Sequence, residues 1–139
     1  MTRRIKVVIW NPQDGANPIR EEEIDSGLET LQALVHGNIE GIYPSNSIPE
    51  LDGVHGYVNE EFLYTHPEWR ERPWKIGAYE FLCGPCVFMG SDNAGNDVDC
   101  PVSIDVIKHH IRISPETVMA MLVDRMESQV EQAEVAPTQ

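Results

Sequence analysis

The chain has 139 residues, enough for one domain with a single substantial core. Apolar residues make up 41%, the ordinary proportion for a soluble fold, so composition excludes a wholly disordered chain. Asp and Glu number 23 against 10 Lys and Arg, a formal net charge of -13. That balance disfavours direct nucleic-acid binding and adhesion to anionic membranes, which both rest on an excess of basic side chains, and it suits a solvated acidic face that aids solubility, or a basic protein partner.

In "MTRRIKVVIW", Met1–Trp10, the basic residues precede an apolar run too short for a secretory leader. No stretch approaches the roughly 20 apolar residues of a membrane span. A cytoplasmic protein is therefore expected, with its three cysteines kept as thiols. Arg4–Trp10 reads as a first strand from its β-branched alternation. Pro18–Ile24 reads as a short returning strand with its glutamates in solvent. Ser26–Val35 is the clearest helix: Ser26 and Glu29 form an S-x-x-E capping box, and Leu28, Leu31, Leu34 and Val35 share a face. Gly37 suits the left-handed residue that closes it. "NIEGIYP" and Val54–Val58 follow as strands, with Asn59-Glu60-Glu61 as a turn. Residues 66–77 read as an irregular loop, Ala78–Met89 as strand, and Ser91–Asp97 as a polar hairpin turn. Residues 102–113 fit a strand by alternation or a helix capped by Ser103. Ser114-Pro115-Glu116 starts a last helix to about residue 130, with Val118, Leu122 and Met126 on one stripe. The expected architecture is a single α+β domain over residues 1–130, with a mixed or mainly antiparallel sheet of about five strands and helices near 27–36 and 115–130. Residues 131–139 are expected to be a disordered tail.

Four groups of residues bear on chemistry. Cys83-Gly84-Pro85-Cys86 has the letters of a thioredoxin-like active site. Dithiol chemistry needs a helix starting at the first cysteine, because the helix end lowers the thiol pKa. Here the motif runs into Val87-Phe88-Met89-Gly90 and a turn, and Leu82 stands where those sequences carry Trp. Cys83, Cys86, Cys100 and His109 are a conceivable zinc set, but there is no second C-x-x-C or C-x-x-H pair, so no metal or other cofactor is expected. His36, His55, His66, His109 and His110 are scattered, without an evident serine or cysteine partner. "DNAGNDVD", Asp92–Asp99, has the acids of a calcium loop but Ser103 where the closing Glu should fall, so a polar turn is the better reading. Trp69, Arg70, Arg72, Trp74 and Lys75 form the one basic, aromatic cluster and the candidate binding surface. Glu21, Glu22, Glu23 and Asp25 form a candidate acidic surface.

One resemblance stands out. "IKVVIWNPQDGANPIREEEIDSGLETLQALVHGNIEGIYP" resembles the opening of a family of small phage and mobile-element domains, known only as domain of unknown function number three-eight-four-six. Leu28, Leu31, Gln32, Val35, Gly37, Ile39 and Glu40 are similar to its helix-and-strand run. "VHGYVNEEF" and "FLCGPCVFMGSDNAG" resemble its later strands, with Gly84-Pro85 as a recurrent pair between apolar neighbours. The resemblance covers roughly residues 4–97 and sets apart "PVSIDVIKHHIRI" as an addition. It implies a small α/β domain of phage or mobile-element origin and supplies no catalytic residues. The expectation is thus a non-enzymatic accessory protein that binds a host or phage protein, in counter-defence or host take-over, with self-association left open. An acidic DNA mimic and a nucleotide-sequestering protein built around Trp69 and Trp74 are the alternatives.

Overall fold

The structure, a computed structural model, describes residues 3–62, 64 and 66–113. The expected helix at 115–130 and the tail at 131–139 lie outside the described residues. Within them the chain folds as an α+β domain with two antiparallel sheets.

The alternation of "RIKVVIW" dictates the layering. In β1 (Arg4–Trp10), Ile5, Val7 and Ile9 point to one side and Val8 and Trp10 to the other, and all five are buried. A strand with two apolar faces must lie inside a sandwich. β1 pairs with β2 (Ile19–Asp25) on one edge and with β7 (Cys86–Ser91) on the other. β7 in turn pairs with β4 (Val54–Asn59), and β4 with β3 (Ile39–Ile42). β8 (Asp97–Val98) folds back on the end of β7, opposite β4. The larger sheet therefore runs β2-β1-β7-β4-β3, with β8 attached to β7.

One face of this sheet is covered by α1 (Leu28–Val35), which buries Leu31 and Val35 against Val7, Val87 and Met89. Val8, Trp10, Val54, Val58 and Phe88 on the other face pack against a second sheet and α2 (Ile104–His110). This second sheet is β6-β5-β9, formed by β5 (Trp74–Ile76), β6 (Tyr79–Leu82) and β9 (Ile111–Ile113). Trp74, Ile76, Leu82 and Ile107 complete that core.

The α+β class and the mainly antiparallel sheet are as expected, the main sheet running through five strands with β8 attached, and the described residues add a second sheet of three. Several expectations are corrected. Residues 78–89 are not a single strand: β6 ends at Leu82 in the small sheet, and β7 begins at Cys86 in the large one. Cys83-Gly84-Pro85 is the corner between them, with Gly84 at φ 81°. The loop at 66–77 contains a 3-10 turn, Pro67–Glu71, and then β5. Residues 102–113 are helix and then strand, with Ser103 at the N-cap position. The capping box at Ser26 does not form. Gly27 is the N-cap of α1, and Ser26 Oγ instead accepts the Arg3 N–H at 3.3 Å. His36, not Gly37, takes the left-handed closing position, at φ 62°.

Candidate functional site

Strand register brings four polar side chains to one place. In β4, Val54 and Val58 face the small sheet, so by alternation His55 and Tyr57 face the α1 side. His55 lies opposite Met89, whose side chain belongs to the α1-side core. Two residues further along β7, Ser91 must share that face, and its partner across the β7–β8 hairpin is Asp97. The hairpin is held by Asp92, whose Oδ1 accepts the Ala94 and Asn96 backbone N–H groups at 2.9 Å. Residues 92–96 are therefore a polar turn, with Gly95 at φ 83°, and the rest of Asp92–Asp99 enters β8.

The four side chains are joined by hydrogen bonds. Ser91 Oγ lies 3.0 Å from His55 Nδ1, and His55 Nε2 lies 3.1 Å from Asp97 Oδ1. The Tyr57 hydroxyl donates to the same Asp97 Oδ1 at 3.1 Å. His55 is buried, stacked on Tyr43 with ring centroids 6.2 Å apart and edge-on to Tyr57 at 5.1 Å. Burial, then the Asp97 charge and the bond to it, push the Tyr57 hydroxyl up to about 12, so it remains a donor throughout the physiological range. Beside this network lies a cavity of about 410 Å³ lined by Arg3, Ser26, Tyr57, Gly95, Asn96 and Asp97. It sits between the residues leading into α1 and the β7–β8 hairpin.

Serine, histidine and aspartate in hydrogen-bonded order are the components of a nucleophile relay. Ser91, however, is not among the residues that line the cavity, whereas Asp97 and Tyr57 are. The imidazole and the phenol both converge on Asp97. The arrangement therefore fixes a carboxylate in the cavity wall, with the buried His55 behind it and Ser91, itself exposed, on the far ring nitrogen of His55.

The residues singled out in the sequence lie elsewhere. Trp74 is in the main core, 1% exposed, and its Nε1 donates to the Gly84 carbonyl at 3.0 Å. Trp69 is buried over Gly84 and stacks on His66 at 4.1 Å. Arg72 and Lys75 are exposed, and Arg70 is half-buried near Cys83. The two indoles are thus committed to the interior and offer no open stacking face. Glu21, Glu22, Glu23 and Asp25 lie on β2, an edge strand, and alternate between its two faces. Glu21 pairs with Lys6 at 3.2 Å, Glu22 with Arg20 at 3.0 Å and Asp25 with Arg4 at 3.4 Å.

All three cysteines are buried and free. Burial pushes the Cys83 thiol up to about 11 and the Cys86 thiol well above its ordinary value, the reverse of what a redox thiolate needs. No helix follows Cys83 to oppose that shift. Cys100 belongs to the main core, while His109 is exposed at the end of α2. Among the described residues, no three His, Cys, Asp or Glu side chains gather as a metal site.

His55, Tyr57, Ser91 and Asp97 escaped the sequence reading as a group. The His-x-Tyr spacing in a strand was visible, but the partners of His55 are 36 and 42 residues away.

Comparison with known proteins returns no match among curated proteins and none among solved structures. A family model matches residues 5–112, from β1 into β9. The segment holding α2 and β9, set apart above as an addition, therefore falls inside the family's bounds. With most of its length matched, the chain belongs to the family described as Domain of unknown function (DUF3846).

Proposed function

We propose that this protein is a non-enzymatic accessory protein of a phage or mobile element, acting in the bacterial cytoplasm by binding a host or phage protein to counter a defence or redirect the host. The observation that carries this reading is the cavity beside Asp97, whose carboxylate is fixed within the protein by the Tyr57 hydroxyl and the His55 imidazole. A preorganised polar group at a concave surface is what a binding site requires, since ordering it on association would cost affinity. Tyr43, half exposed and stacked on His55, adds an aromatic rim. The net charge of -13 favours association with a basic partner.

The DNA-mimic reading draws less support, because three of its four carboxylates are paired with basic side chains of the same chain. The nucleotide reading loses its platform with the burial of Trp69 and Trp74. Affinity capture from bacterial lysate, with salt and duplex DNA as competitors, tests the proposal. The expected result is a specific basic protein, retained at moderate salt and not displaced by duplex DNA. Displacement by DNA would favour the mimic, and the absence of any specific partner at moderate salt would overturn the binding reading.

A further inference from the structure

We propose that the cavity beside Asp97 receives a primary ammonium group, presented by a lysine side chain of the protein partner. The inference rests on the binding reading above and adds the chemistry of its anchor. It follows from the acceptors that remain open. A carboxylate oxygen has two lone-pair sites. Asp97 Oδ1 is faced by both the Tyr57 hydroxyl and His55 Nε2, so its capacity is used, and Oδ2 is the acceptor left for a ligand. The bidentate pairing that favours arginine uses both oxygens of a carboxylate, whereas an ammonium is satisfied by one.

Two further acceptors line the same cavity. Asn96 donates its amide Nδ2 to Asp92 Oδ2 at 3.1 Å, which leaves its Oδ1 as an acceptor. Ser26 Oγ accepts the Arg3 N–H at 3.3 Å and retains a second lone pair. Asp97 Oδ2, Asn96 Oδ1 and Ser26 Oγ thus match the three N–H donors of an ammonium in number. Arg3 is the one cationic residue of the lining, and its charge reaches the Asp92 carboxyl. The Asp92 carboxyl is held below its usual range by the Asn96 backbone and amide bonds, with the Arg3 charge also contributing.

NMR titration of the full chain tests this with Nα-acetyl-lysine methylamide, its Nε-acetylated form, the arginine counterpart and n-butylamine. The lysine derivative should shift the resonances of Ser26, Tyr57, Asn96 and Asp97. The acetylated and arginine forms should bind about tenfold more weakly, the effect of one lost charge-assisted bond. Asp97→Asn should weaken the lysine derivative by a similar factor. Tyr57→Phe frees a site on Oδ1 and should narrow the preference for lysine over arginine. Equal binding of lysine and arginine by the unmodified protein, equal binding of the acetylated form, or no shift at these residues overturns the proposal. Tighter binding of n-butylamine than of the lysine derivative overturns its assignment to a protein side chain. Partner capture that survives Asp97→Asn would sink the ammonium anchor and leave the binding reading standing. Lysine-induced shifts without any captured partner would overturn the binding reading and the partner's lysine with it, leaving only the cavity's preference for an ammonium.

Discussion

Asn59 shows how much one side chain can organise. It is 2% exposed, yet its Nδ2 donates to the Val35 and His36 carbonyls at 3.0 and 3.1 Å, the free acceptors at the end of α1. Its Oδ1 accepts the Glu61 N–H at 2.7 Å, fixing the turn after β4. Asn59→Ala strands these groups and should cost about 1–3 kcal/mol, read as a lower urea midpoint with an unchanged slope. An effect below 0.5 kcal/mol would show that water replaces the amide at no cost (about the scatter of an ordinary surface change). The buried thiols make a second residue-scale prediction. With Cys83 pushed up to about 11 from an ordinary 9.0, and Cys86 also raised well above its ordinary value by burial, alkylation in the folded protein at pH 8 should be slow at both and rapid only in denaturant. The sign for stability follows: the folded state holds the thiol proton more tightly than the unfolded chain. The contribution of Cys83 is therefore constant below about pH 9 and lost as pH rises from there through about 11. Fast alkylation of the native protein at pH 8 would contradict the burial of these sulfurs. None of this was readable from residue type, because Asn59 and the cysteines sit in polar turns or motif-like letters whose surroundings are assembled by distant chain.

At the scale of elements, long periodic segments announced themselves and short ones did not. β1, with seven residues of β-branched alternation, and α1, with its apolar face, were legible because each carries its own pattern. The hairpin at 91–97 was legible from its turn residues. β5, β6 and β9 have three or four residues each, too few to establish a period, and they exist because they cover Val8, Phe88 and Trp10. The same shortness hid the corner at Gly84, where residues of a single apolar run belong to two different sheets. Gly84→Ala is the sharp test of that corner. Its φ of 81° costs a non-glycine residue about 1–3 kcal/mol, and the new Cβ would fall inside contact distance of the Trp69 ring. The variant should melt lower than the parent, with the near-UV signal of the tryptophans altered. A neutral outcome would mean that the chain does not turn there. The polar network was illegible for a related reason: alternation places His55 and Tyr57 on one face, but only the β4–β7–β8 register adds Ser91 and Asp97.

On the scale of the whole molecule, three layers separate structure from function. The face under α1 and the space between the sheets are filled by apolar side chains, Trp74 among them, while Trp69 is buried outside these layers over Gly84 and against His66. The acidic edge strand β2 is balanced by Lys6, Arg4 and Arg20, each an exposed pair of small energetic value. Its charges serve as well to discourage edge-to-edge pairing, the usual hazard of an open seven-residue strand. Apart from these, the described residues form a cavity between the approach to α1 and the β7–β8 hairpin, where a carboxylate is positioned by a buried histidine and a tyrosine. The net charge was readable from composition, but where it would act was not, since that depends on which acids find bases in the fold. The most direct measurement compares partner capture by the unmodified protein, by a rim variant, Tyr43→Arg, and by an edge-strand variant, Glu21→Gln with Glu23→Gln. The account predicts capture lost on Tyr43→Arg and retained with the β2 changes, all three proteins having the same circular dichroism. Capture retained with the rim blocked and lost with the β2 carboxylates removed would contradict it.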